Sequence, residues 1–406
     1  MDRCPVHTLL DFERFATGTP RALINDLRAK HRILRETDDY SGSHWLVFRQ
    51  EDIDHVLKTP ALFSNAFSPI LDDFPPEVLA EQQQSLTFMD PPEHRKYRTL
   101  IDSAFRLKAL EARRPAMEQA AREIVDAVID RGECEFVTDI AMQMPTRVMF
   151  ELLGVRAGDY ARVVRMVNTL SMADDPDFAE NRMLGFQASM DLIAFGAELA
   201  ADHRRNPRAS MTMEVLEARV DDRALDDGEF GRLFNNLVVG GLETTRNTLA
   251  LGLHQLILHP EQYHLLQENP ALVRGAVEEF LRHQNTVVYL RRTATQDMEF
   301  LGEQIMQGDK LVCVLGSPNR DPAIFADPDR FDITRDPAPS RKHYRTFGQG
   351  PHYCVGVHQA RLNLEVMLAE IVRRMTALRL LAAPRHTRSI FMEGYKEMRL
   401  GFERRA

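Results

Sequence analysis

Cys354 closes the segment Phe347-Gly348-Gln349-Gly350-Pro351-His352-Tyr353-Cys354-Val355-Gly356, a glycine-rich loop that runs into a helical pattern at Gln359-Ala360-Arg361-Leu362-Asn363-Leu364. A thiol held there is suited to act as an iron-binding thiolate. Gly348 and Gly350 let the backbone fold tightly around the sulfur and aim N–H groups at it, and the positive end of the following helix stabilises the anion. Phe347 shields the position from water. A haem iron held by cysteine receives electron density that favours O–O cleavage, and such a thiolate needs both hydrogen bonding and cover. An isolated Cys-x-Gly would more simply be a small core residue beside a turn. Six fixed positions (Phe, Gly, Gly, His, Cys, Gly), however, coincide by chance with a probability on the order of 10⁻⁶ at ordinary residue frequencies.

The rest of the chain describes a large, mainly helical protein. Its 406 residues are 44% hydrophobic and 27% charged, and no linker, repeat or low-complexity run divides them, so one domain over 1–406 is expected. Lys+Arg total 51 against 60 Asp+Glu, and the net charge of −9 argues against nucleic acid as a partner. No run approaches 18 apolar residues and residues 1–7 lack a signal-peptide shape, so no membrane association and a cytoplasmic location are expected. Cys4, Cys134, Cys313 and Cys354 are scattered without a Cys-x-x-Cys pair, which points away from zinc and disulfides and puts Cys134 and Cys313 in the core. Apolar spacing of three and four predicts helices over 109–130, 186–204, 230–258, 271–282 and 357–378. Short strands are predicted at 45–48, 298–305, 310–315 and 398–402, with a hairpin turn such as Gln307-Gly308-Asp309.

The 230–258 segment is apolar on nearly all sides and should run through the core until His259-Pro260 ends it. In its middle stands Gly240-Gly241-Leu242-Glu243-Thr244-Thr245. A glycine pair can simply admit a neighbouring helix, and a threonine can bond the carbonyl four residues back. Elsewhere Glu279 and Arg282 are spaced i, i+3, and His94 and Arg98 are spaced i, i+4. Either spacing is often only a solvated surface contact.

Together these residues resemble the cytochrome P-450 superfamily, whose signature loop Phe-Gly-x-Gly-x-His-x-Cys-x-Gly is matched at every fixed position. The resemblance covers about 90–394. It implies a mainly α fold with small β-sheets, in which haem b lies between a long central helix and the cysteine loop, with Phe347 and Gly348 in the haem-binding loop and Cys354 as the iron ligand. Glu243 and Thr244 then form the acid-alcohol pair. Thr244 would bond toward the Gly240 carbonyl beside a local widening that admits O2, and Glu243 would feed protons inward by changing rotamer. His94, Arg98, Arg292 and His352 match the residues that pair with the haem propionates, with Arg291 the weaker alternative to Arg292. Glu279 and Arg282 match the Glu-x-x-Arg motif, which joins a further arginine, Arg330 or Arg335, and serves folding and haem retention. Thr286 and Pro318 depart from the family pattern.

The activity so implied is insertion of one O2-derived oxygen atom into an apolar small molecule. The walls that the resemblance suggests are mostly aliphatic or aromatic: 63–88, 164–195, Leu237, Val238, Gly241, the stretch 287–290 including Val288 and Tyr289, and Phe391 within 390–392. A terpenoid, steroid-like or alkyl-lipid substrate fits them. With no fused flavin or iron–sulfur segment, electrons from NAD(P)H would come through a separate ferredoxin and ferredoxin reductase, steered by Arg95, Lys96, Arg106, Arg341, Lys342 and Arg345 to a protein acting as a monomer. An oxidative coupling or dehydrogenating enzyme shares every motif. A haem-based sensor or electron carrier would need no proton relay, and a peroxygenase would not keep Glu243 and Thr244.

Overall fold

The computed structural model describes residues 8–175, 177 and 183–405. Cys4 and the rest of 1–7 lie outside the described residues, as does part of the 164–195 wall.

Helices carry the architecture, as the periodicity predicts. The central helix spans Asp227–Leu258 and begins before the apolar pattern because Asp226 caps it. The Asp226 side chain accepts from the Glu229 N–H at 2.8 Å, and the Glu229 carboxylate accepts from the Asp226 N–H at 2.9 Å. This reciprocal box satisfies two donors that a helix start otherwise leaves orphaned. At the far end His259 stops the helix and Pro260 opens the next, Pro260–Glu268. Neighbouring helices cross the central one closely. A Cβ on Gly231 would lie 2.2 Å from the Ile193 carbonyl oxygen in Met183–Arg205, and one on Gly252 would lie 2.1 Å from the Phe280 ring in Val273–His283. Phe234, Leu242, Leu249 and Leu253 are buried between these partners.

The main sheet orders its strands Ile33–Asp38, Gly42–Val47, Lys310–Val314, Tyr289–Ala294 and Phe63–Ser64, with only Gly42–Val47 and Lys310–Val314 parallel. A three-stranded sheet joins Met375–Leu380, Arg399–Arg404 and Glu133–Glu135. The helix expected over 357–378 ends at Arg374, because Met375–Leu380 pairs with Arg399–Arg404 and the partner strand overrides the helical spacing of Met375 and Leu378. The strand expected over 298–305 folds back on itself at Leu301 (φ 56°) and Gly302 (φ 86°), giving the hairpin Met298–Phe300 and Glu303–Ile305. Cys134 and Cys313 are buried, and burial pushes both thiols up to about 12. Among the described residues no helix is long and apolar enough to cross a membrane.

Candidate active site

The cysteine loop owes its shape to two left-handed glycines. Gly348 has φ 69° and Gly350 φ 74°, and a Cβ on Gly350 would lie 2.2 Å from the Leu57 carbonyl oxygen. No other residue fits that approach. The loop closes through the Gly348 N–H to the Arg345 carbonyl at 2.9 Å and the Cys354 N–H to the Phe347 carbonyl at 3.1 Å, and the helix Val357–Arg374 follows. Burial pushes the Cys354 thiol up, while the Gly356 N–H, Arg98 and Arg361 oppose that shift by favouring the thiolate. The Arg361 guanidinium sits 4.9 Å from the Phe347 ring centroid and fixes that ring beside the loop.

Cys354 opens into a cavity of about 250 Å³. The central helix contributes Gly240, Gly241, Thr244, Thr245 and Thr248 to it, and the loop contributes Phe347, Gly348, His352, Cys354 and Gly356. The Thr244 hydroxyl donates to the Gly240 carbonyl at 2.8 Å, within a helix that stays continuous through this stretch. Thr248 donates likewise to the Thr244 carbonyl at 2.8 Å and meets the Thr286 hydroxyl at 3.0 Å. Glu243 takes a different direction. Adjacent residues on a helix diverge by about 100°, and Glu243 is 1% exposed and ion-paired with Arg246, so it does not line the cavity in this conformation. Burial pushes its carboxyl pKa up and Arg246 pulls against that.

Two histidines, held neutral by burial, and two arginines gather at the His352 edge of the cavity. The His94 and His352 rings lie 4.1 Å apart, His352 Nε2 is 3.0 Å from the Met89 carbonyl, and Arg98 Nη1 donates to the Tyr353 carbonyl at 2.9 Å. Burial, reinforced by Arg98, holds His94 down at about 4. Alternation along Tyr289–Ala294 puts Leu290 and Arg292 on one face and Tyr289 and Arg291 on the other. Arg291 is consumed by the Leu71 and Asp72 carbonyls and by Asp73 at 2.8 Å. Arg292 is 2% exposed, donates to the Arg291 carbonyl at 2.7 Å, and forms no salt bridge among the described residues. Burial lowers its pKa to about 10. A buried cation without a carboxylate calls for an anionic ligand, so the residues present fit a group that brings carboxylates.

The Glu279–Arg282 pair sits in the core. Arg282 is fully buried and donates twice to Glu279 at 2.7 Å, and again to the Asn319 and Pro328 carbonyls at 2.8 Å. Of the two arginines expected to join it, Arg335 does so, with Nε 3.5 Å from Glu279. The Arg330 side chain faces Asp332 instead and is 64% exposed.

The expected substrate walls are only partly gathered at the cavity. Gly241 lines it, and a Cβ there would lie 2.3 Å from Met149 Cε. Leu237 and Val238 pack instead into the helical core with Phe195 and Phe234. Val288 faces a cleft of about 20 Å³ beside Thr19 and Arg21, and the Tyr289 hydroxyl accepts from the Leu71 N–H at 3.1 Å. Phe391 packs edge-on to Tyr289 at 5.4 Å. Of the expected 287–290 stretch, Val287 and Leu290 do line the cavity, together with Phe105 and Met149. Nothing in the sequence marks Phe105, which comes from the turn between Glu93–Asp102 and Leu107–Ile129, or Met149, which comes from the helix Gln143–Leu153. Among the basic residues expected to steer a partner, Arg345 is buried against Asp54 and Lys96 is held by Glu93 and Asp221, whereas Arg95, Arg106, Arg341 and Lys342 are exposed.

Comparison with known proteins places these features in context. A family model described as cytochrome P450 matches residues 8–379. A methyl-branched lipid omega-hydroxylase of Mycobacterium tuberculosis is 33% identical over 361 residues, 88% of this chain and 83% of that one. A steroid C26-monooxygenase of Rhodococcus jostii is 31% identical over 369 residues, 90% of this chain and 76% of that one. Among solved structures, a Mycobacterium marinum cytochrome P450 in complex with pseudoionone superposes with a TM-score of 0.88 at 29% identity, covering 99% of this chain and all of that one.

Proposed function

Because the chain belongs to the cytochrome P450 family, we propose that its monooxygenase activity is directed at a methyl-branched, steroid-like or terpenoid hydrocarbon, with electrons drawn from NAD(P)H through a separate ferredoxin and reductase. One observation carries the reading. The Cys354 loop and the Thr244 segment of the central helix face one cavity whose added walls, Phe105, Met149, Val287, Leu290 and Leu315, are apolar. The relatives named for lipid and steroid oxidation support that substrate class.

Haem, when bound through Cys354, supplies the iron that activates O2. The chain's own residues do the rest. Arg292, Arg98, His94 and His352 would hold the propionates, and Phe347 with Gly348 would cover the sulfur. Thr244 accepts a hydrogen bond from water at its Oγ1, since its own hydrogen is committed to the Gly240 carbonyl. Glu243, kept protonatable by burial, leaves Arg246 to hand a proton toward that hydroxyl. Glu279 and Arg282 hold the fold beneath the loop. The enzyme works as a single P450 unit, a monomer in the cytoplasm, where its buried thiols stay reduced.

A binding screen that follows the Soret shift as ligand displaces water tests the substrate class. Affinity is expected to rise with apolar area at about 25 cal/mol per Å² through a series of neutral terpenoids, sterols and branched alkanes. Adding a carboxylate is expected to weaken binding. A carboxylate ligand that binds better than its neutral parent would refute the apolar pocket.

A further inference from the structure

Two amides stand on the cavity wall without partners. Gln359 and Asn363 lie one helical turn apart on Val357–Arg374, are 4% and 2% exposed, and both line the cavity. Neither Gln359 Oε1 nor Asn363 Oδ1 has a hydrogen-bond partner among the described residues. A buried carbonyl oxygen left unpaired is costly, and native interiors satisfy such groups with protein or with ordered water. No group of the described residues serves here. The basic side chains His94, Arg98 and Arg292 come from other elements, and the only polar side chains that the central helix brings to this cavity are the threonines Thr244, Thr245 and Thr248. Thr244 and Thr248 already donate to backbone carbonyls. Thr245 is buried and lines the cavity as well. An i, i+4 pair presents both amides on one helix face, which is the arrangement that lets a small donor bridge them.

We propose that Gln359 and Asn363 form a buried water site on the helix that follows Cys354, with the water donating to both amide oxygens and Thr245 available as a third partner. A water needs two to four polar partners and a polar, roomy site, and this wall supplies them. The site is neutral, so it binds water and not an ion, and it fixes the cysteine helix against the central helix through a hydrogen bond that neither helix makes alone. The inference does not depend on which substrate the enzyme oxidises.

The test is a double-mutant cycle on haem-loaded protein, with Gln359→Leu, Asn363→Leu and the double variant, read as the guanidinium chloride midpoint. If a water is held between the amides, each single variant strands it on the remaining amide and lowers the midpoint, and the double variant loses less than the sum of the two. If the amides face dry space, each leucine removes an unpaired polar group, and both single variants raise the midpoint additively. That second result overturns the proposal. A crystal structure of the haem-loaded protein gives an independent reading. Ordered water at hydrogen-bond distance from Gln359 Oε1 and Asn363 Oδ1 supports the site, and a haem or protein atom in that place refutes it.

Discussion

Two ion pairs in this protein share one spacing and differ in burial, which makes the energetic weight of the Glu279–Arg282 pair measurable against an internal control. Glu279 and Arg282 are 2% and 0% exposed, whereas Glu111 and Arg114, also at i, i+3, are 41% and 28% exposed with N···O 2.7 Å. Glu279→Ala leaves the Arg282 guanidinium buried beside Arg335, with carbonyls but no counter-charge, and it removes the acceptor of the Asp332 N–H. Breaking a buried pair in this way costs about 3–5 kcal/mol. Glu111→Ala removes a solvated pair worth about 0.5 kcal/mol. Taking a guanidinium chloride m-value of about 6 kcal/mol/M, the upper end for small proteins, the midpoint of Glu279→Ala falls by about 0.5–0.8 M and that of Glu111→Ala by less than about 0.1 M. Equilibrium unfolding of haem-loaded protein, followed by far-UV circular dichroism and by haem absorbance, measures both. Equal midpoints for the two variants would refute the reasoning, because spacing and not burial would then govern the pair.

Thr244→Ala is expected to bind substrate and take up electrons normally but to divert oxygen to peroxide, seen as less product and more H2O2 per NAD(P)H consumed, while Glu243→Gln slows turnover instead. Unchanged coupling in Thr244→Ala would remove the hydroxyl from the proton path. Gly350→Ala places a Cβ against the Leu57 carbonyl at a positive φ, so the purified variant should carry far less haem per chain; full haem content would show that the loop yields. Hydrogen bonding from Arg223 holds the Glu229 carboxyl down at about 2. A carboxyl depressed on folding contributes stability that is complete above its ordinary value near 4.5 and is lost as pH falls toward 2. Wild type is therefore expected to lose stability more steeply than Glu229→Gln over that window, and parallel acid titrations of the unfolding midpoint would contradict this.

What could be read from the sequence follows from how local each constraint is. Gly348 and Gly350 are demanded by backbone conformations that no neighbour can supply, so the cysteine loop was legible residue by residue. The central helix was legible from the apolar residues that run all round it and from the His259-Pro260 stop, whereas its start at Asp227, set by the Asp226 cap, precedes the apolar pattern that begins at 230. Strand phase was not legible. Whether 287–290 turned Val288 or Leu290 to the cavity depended on pairing with Lys310–Val314, which lies far along the chain. The same pairing separated Arg292 from Arg291. Glu243 and Arg246 stand at i, i+3, so their pairing was visible in principle, yet the acid's neighbour Thr244 suggested a direction that the helix does not give it. Arg345 read as a surface charge because Asp54, its partner, is 291 residues away. Met375 and Leu378 kept helical spacing until a strand from the carboxyl end claimed them. The amide pair at Gln359 and Asn363 lay within the quoted helix pattern, but only three-dimensional burial marks those oxygens as unpaired.

The central claim is that Cys354 binds the iron of a haem held in the cavity between its loop and the central helix. Adding carbon monoxide to the dithionite-reduced, haem-loaded protein tests it most directly. An absorption maximum is expected at the long-wavelength position characteristic of a thiolate ligand, and its loss in Cys354→Ser even where that variant retains haem. A long-wavelength maximum that survives Cys354→Ser, or its absence in the wild-type protein, would contradict the assignment.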